Sequence, residues 1–155
     1  MSAAPSGRLV LRALDVEDLA VVSAAMQDAL VAVKDIGWFA AERRFALVAN
    51  RFRWEIPADT DGAWSRTHAA LSFEDVEAVR HAEMPLGEPD RVLDLLSVSV
   101  DARAGGGVAV VLRFAAGRAI RIEAARLLCH MADLGDPWPT PWRPAHEAAD
   151  GRDGG

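Results

Sequence analysis

Apolar residues recur along this chain with two different periods, and the switches between them divide it into elements. RLVLRAL (8–14) alternates briefly and reads as a strand. Asp15 then stands in capping position, Glu17 and Asp18 place acids in a first turn, and Leu19, Val22, Met26 and Leu30 recur at helical spacing, so an amphipathic helix is predicted over 16–28. From Leu30 the texture is β. LVAVKDIGWFA and RRFALVANRFRWE are rich in aromatic and β-branched residues and meet at Ala41-Glu42, which predicts a long antiparallel hairpin. IPADTDGAWS (56–65) reads as a loop. After it Ala69, Leu71 and Phe73 alternate, while Val76 and Val79 fall on opposite parities. A helix over 74–82 fits that switch, but a bent or bulged strand fits its strand neighbours better.

The second half reads as a meander. RVLDLLSVSVDA, VAVVLRF and RAIRIEA alternate and are joined by Gly105-Gly106-Gly107 and by Ala116-Gly117. A last helix is predicted over about 123–134, because Ala124, Leu127, Leu128, Met131 and Leu134 form one stripe, Gly135 stands where a C-terminal cap belongs and Asp136-Pro137 stops the run. Prolines at 137, 139, 141 and 144 then favour an extended arm carrying Trp138 and Trp142. The expected organisation is a flexible start (1–7), one globular domain (8–146) that includes the arm 137–144, and a disordered tail (147–155).

One stretch resists a simple alternation. In RRFALVANRFRW (43–54), Phe45 and Leu47 lie on one parity and Phe52 and Trp54 on the other. An unbroken strand would put Arg51 and Arg53 on the face of Phe45 and Leu47, burying two cations beside the core. A β-bulge near Ala49-Asn50 avoids this by turning the aromatics inward and the arginines outward. The expected outer face then reads Arg44, Ala46, Val48, Arg51, Arg53, and the first helix, the Trp-Pro arm, a partner or an anionic ligand is left to cover it.

Composition narrows the classes. The chain has 155 residues, enough for one core, and its 23 acids against 17 cations give a formal charge of −6, which argues against a nucleic-acid footprint. All the cations except Lys34 are arginine, a bias that with the abundant alanine lowers the weight of any single arginine. No apolar run approaches the ~20 residues of a membrane span, MSAAPSGR does not read as a leader, and a single cysteine suits a reducing compartment, so a cytoplasmic protein is expected.

Motifs for chemistry are scarce. ADTDG (58–62) begins like a calcium loop, but Ser65, Arg66 and Ala70 do not continue the ligand array. Cys129 and His130 are neighbours, yet adjacent side chains diverge by about 100° on a helix, and Cys129 sits in an apolar run. His68, His81, His130 and His146 lack zinc spacing, and the glycine triplet joins two strands, so it has no helix N-terminus with which to cradle a phosphate. Neither a catalytic residue, a metal site nor a cofactor is assigned. PWRP and its neighbours fit either an aromatic groove on a partner or the protein's own surface.

The strings LRALDVEDLAVVSAAMQDALVAV and ERRFALVANRFRWE, continued by VLDLLSV, IRIEA and ADLGDPWPT, resemble a family of short bacterial proteins known only as domain-of-unknown-function family 2948. The resemblance spans about 8–146 and implies a stand-alone single domain, with no activity to carry over. The expected fold is α+β: a bent antiparallel sheet or partly open barrel with one helix before the main hairpin and one at the C-terminus, an element order similar to pleckstrin-homology domains, with a split-barrel sandwich as the alternative. The expected function is a non-enzymatic interaction module in which Arg44, Arg51 and Arg53, with Trp54 and Trp64, hold an acidic protein partner or an anionic small molecule. The alternative is a small enzyme with a site assembled from His68, Glu74 and His81.

Overall fold

The structure is a computed structural model that describes residues 7–145. His146 and the expected tail 147–155 lie outside the described residues, as does all of the expected flexible start except Gly7. Strand β1 (Val10–Ala13) leads into helix α1 (Val16–Ala25), whose start follows the capping logic: the Asp15 side chain accepts a hydrogen bond from Asp18 N at 2.8 Å. Leu19, Val22 and Ala25 are its buried face, and it is shorter than the apolar spacing suggested. Asp28 adopts a left-handed φ of 61°, and the chain turns there into β2 (Ala29–Ala32), so Leu30 belongs to a strand.

The expected first hairpin arm is broken. A 3-10 turn at Val33–Asp35 separates β2 from β3 (Ile36–Phe39), and a second at Ala40–Glu42 leads to β4 (Arg44–Phe52). Both short strands pair with the same edge of β4: Leu30 stands opposite Asn50, and Ile36 to Phe39 stand opposite Leu47 to Arg44. β5 (Trp64–Phe73) follows, and the segment with conflicting parities is β6 (Val76–Ala82), a strand whose pairing shifts between Val76 and Ala78. The meander is β7 (Val92–Ala102), β8 (Val108–Phe114) and β9 (Arg118–Ala124). Gly107 closes its first turn at φ 83°, where a Cβ would meet Ala124 O at 2.5 Å, so no other residue fits.

The predicted C-terminal helix is instead a strand, β10 (Cys129–Thr140). Its residues carry both periods, but Cys129, Met131 and Asp133 alternate inward, and β10 fills the slot between β1 and β5. Two open strand edges offer a ladder of hydrogen bonds that a helix would leave unsatisfied, and this tertiary demand outweighs local helical spacing. Gly135, expected as a helix cap, serves at φ 66° in the irregularity between Leu134 and Trp138 where the pairing slips. β1 reaches only Ala132, so Pro137 and Pro139 fall beyond it on an open edge, where a missing N–H costs least.

Among the described residues the ten strands form one sheet, in the order β1-β10-β5-β4-β2-β7-β8-β9-β6 with β3 beside β4, and a single α-helix. It is an open antiparallel α+β sheet, continuous from β1 to β6. With a strand in place of the capping helix, the pleckstrin-homology order is not reproduced. One core runs from Phe45, Leu47 and Leu71 on one arm of the curled sheet to Leu112, Ile120 and Ile122 on the other, with Leu19 and Val22 of α1 packed in. Beyond Leu95, where β2 stops, α1 takes over the edge of β7: Ser23 Oγ accepts from Val98 N at 2.9 Å.

Candidate functional site

The arginines of β4 fall where an unbroken strand puts them. β4 pairs with β5 residue for residue from Phe45 opposite Phe73 to Phe52 opposite Arg66, so the bulge expected at Ala49-Asn50 is absent. Arg51 therefore shares the inner face with Phe45, Leu47 and Ala49 and is completely buried. Asp133 of β10 makes this tolerable. Arg51 Nε and Nη2 donate to the two oxygens of Asp133 at 2.7 and 2.8 Å, and Nη1 and Nη2 donate to those of Glu55 at 3.0 and 2.8 Å. Asp133 Oδ2 also accepts from Leu9 N at 2.8 Å, tying in the chain before β1. Burial opposes the charge of Arg51, but these bonds outweigh it and hold its pKa above the usual value. Burial pushes the pKa of Glu55 up, but its bonds to Arg51, a backbone hydrogen bond and the Arg51 charge outweigh that and keep the carboxylate below its ordinary value.

Arg53 is 4% exposed, with Nη1 donating to Ser65 Oγ at 3.1 Å. The expected outward orientation of Arg51 and Arg53 is thus corrected. Arg44 is exposed but pairs with Glu74 at 2.9 Å and Glu42 at 3.2 Å, at the opposite end of β4. The three arginines do not form one patch.

Trp54 and Trp64 do come together. Phe52 lies under both, edge-on to Trp54 at 4.7 Å and tilted against Trp64 at 5.7 Å between ring centroids. Trp54 Nε1 donates to Gln27 O at 2.9 Å, which fixes that indole to the turn just after α1. The guanidinium of Arg143, on the C-terminal arm, lies 5.4 Å from the Trp54 ring centre and 5.2 Å from that of Trp64. This is cation–π distance to two rings at once. Of the arm's tryptophans, Trp138 packs against His68 at 4.8 Å, whereas Trp142 is 77% exposed.

A second charged group was not anticipated. Asp28 and Asp94, on the connection before β2 and on the adjacent β7, share a side-chain hydrogen bond. Burial, then the charge of Asp28 and that bond, push Asp94 up to about 6 against the pull of Arg66. Arg66 is itself committed to Asn50, donating from Nη2 to its carbonyl at 3.0 Å and from Nε to its side chain, and burial holds its pKa below the usual value. Asp94 Oδ1 is buried without a hydrogen-bond partner. A lone acid inside the apolar run RVLDLLSV was the only signal in the sequence, and nothing there named its partner.

The other candidates stay apart. His68 lies mid-strand on β5, Glu74 follows that strand's end and pairs with Arg44, and His81 is on β6 opposite Ile120. At about 3.3 Å per residue, His68 and Glu74 are roughly 20 Å apart. Asp59 of ADTDG turns inward on its own loop, with Oδ1 accepting from Asp61 N and Ala63 N. Cys129 is buried and its thiol is pushed up to about 12, so it is an inert packing group. Among the described residues, no cluster of three or more His, Cys, Asp or Glu could hold a metal, and no helix is long and apolar enough to cross a membrane.

The chain belongs to a family described as "Protein of unknown function (DUF2948)", whose model matches residues 9–146. Neither a curated protein nor a solved structure matches the chain.

Proposed function

We propose that this protein is a non-enzymatic interaction module whose recognition surface is the aromatic end of the sheet, Trp54 and Trp64 over Phe52, and that this surface takes a cationic group from its partner. The observation that carries the reading is Arg143: the chain seats its own guanidinium against both rings. The net charge of −6 favours the same sign of partner. An anionic ligand has less support, because Arg51 and Arg53 are committed inside and Arg44 stands at the far end of β4 with two glutamates. Arg51 and Arg53 act on this surface from beneath, the first by holding Glu55 and the second by holding Ser65 beside Trp64.

The test is competition with Arg143. Arg143→Ala should bind N-acetyl-arginine amide several-fold more tightly than the wild type, with shifts at the Trp54 and Trp64 indole N–H resonances, and Trp64→Ala should lose that binding. No shift in either protein, or tighter binding of a polyglutamate peptide than of the arginine amide, would overturn the reading.

A further inference from the structure

A groove of about 320 Å³ runs between the start of β1 and α1. It is lined by Leu9 and Leu11 at β1, by Val21 and Ala24 of α1, and by Trp54 and Glu55 from the segment after β4. Among the described residues, Glu55 is its only charged lining residue. That carboxylate belongs to the Arg51, Asp133, Glu55 group, whose one positive and two negative charges leave a net −1. Arg51 and Asp133 are buried, with side chains 0% and 2% exposed, while Glu55 is 36% exposed, so the surplus negative charge faces outward at Glu55.

The same network builds both sides of the groove. Asp133 accepts from Leu9 N and donates its own N–H to Leu9 O at 2.9 Å, pinning the β1 side, and Arg51 fixes the carboxylate through two hydrogen bonds. Trp54, tied to Gln27 O, offers an aromatic surface beside that carboxylate. A preformed apolar groove with one carboxylate next to an indole is complementary to a molecule with an apolar tail and a cationic head. We infer that this groove is a binding site for a small amphiphilic amine, whose alkyl chain lies along Leu11 and Val21 and whose primary ammonium meets Glu55 beside the Trp54 ring. An amphiphile with an anionic head is disfavoured by the same carboxylate, and an uncharged one leaves it without its counterion. This inference deepens the cation-selecting reading of Trp54 but rests on the groove, where Trp64 and Arg143 take no part.

The experiment compares octylammonium, octanoate and octanol, each below its micellar range, binding to the full chain by NMR. Octylammonium should bind at least about tenfold more tightly than octanoate, with shifts at the Leu9 and Leu11 methyls and the Trp54 indole. Glu55→Gln should erase most of that difference while leaving octanol binding in place. Val21→Gln, on an exposed position of α1, should weaken all three and keeps the test informative if Glu55→Gln folds poorly. Equal binding of amine and acid by the wild type, a preference that survives Glu55→Gln, or shifts confined to other residues would overturn the proposal. Octylammonium binding that persists in Trp64→Ala while arginine amide binding is lost supports two adjoining sites. Arginine amide binding without any preference for octylammonium sinks the groove and leaves the aromatic surface standing.

Discussion

Two groups of charge lie on opposite faces of the curled sheet, one across β4 and β10 and the other across β7 and the turn into β2, and they are built on opposite plans. On the inner face Arg51 meets Asp133 and Glu55, every nitrogen of its guanidinium has a carboxylate oxygen, and its charged form is favoured. On the outer face Asp28 and Asp94 bring two acids together, the nearby Arg66 is turned to Asn50, and one oxygen of Asp94 has no partner. The first group holds three segments of chain together. The second works against the sheet once Asp94 ionises. Burial alone therefore says little; what matters is whether each charge finds its opposite at hydrogen-bond distance.

The largest test of this contrast is Asp133→Ala. It leaves the Arg51 guanidinium buried with only Glu55 and should cost about 3–5 kcal/mol in chemical denaturation, whereas Arg51→Met with Asp133→Leu should cost far less, because the two fully buried charges leave together and only the partly solvated Glu55 loses its partner. A loss under about 1 kcal/mol for the single variant would break the comparison. Next is Asp94→Asn. Folding raises the pKa of Asp94 from its ordinary 3.8 to about 6, so the associated stability is fully present below about pH 4 and is lost as pH rises through 6. The variant should thus be more stable than the wild type at pH 7.5, by about 1 kcal/mol after discounting for partial exposure, and should lose that advantage at pH 4. Thermal melts across this range check it, and a destabilised variant at pH 7.5 would show that the pair is not a liability.

Glu55→Gln should be milder than Asp133→Ala, about 1 kcal/mol at neutral pH, since its carboxylate is partly solvated. Its sign with pH is opposite to that of Asp94. The folded-state pKa is depressed below 4.5, so the wild-type advantage is present above that value and disappears as pH falls through the folded one. The smallest effect belongs to Arg143→Ala. An exposed cation–π contact should be worth about 0.5–1 kcal/mol, seen as a small drop in melting temperature with a change in tryptophan emission. A loss above about 2 kcal/mol would make Arg143 a structural pin for the arm.

Much of the local structure was legible. The Asp15 cap, the alternation in β5, β7, β8 and β9, and the glycine turn before β8 each rest on residues within a few positions of one another. The misread elements are those where two periods fit. Residues 124–134 carry a helical stripe and an inward alternation together, and only the vacancy between β1 and β5 selects the strand. In β4 the arginines were sent outward by a bulge because a cation beside Phe45 and Leu47 is normally forbidden. That rule was sound, but the carboxylate that lifts it lies 82 residues away. Of the candidate site, Trp54 and Trp64 do meet, through Phe52, while Arg44 is separated from them by the length of β4.

The sequence by itself determined the capped helix, the positions of most strands and the acidic balance, because caps, turns and alternation are short-range properties of the backbone. Tertiary structure alone decided that Arg51 goes in, that Asp28 and Asp94 meet, and that the chain ends its fold in a strand. Each of these depends on a partner brought close by strand pairing, and the free energy of a buried charge or an open strand edge is set by that partner.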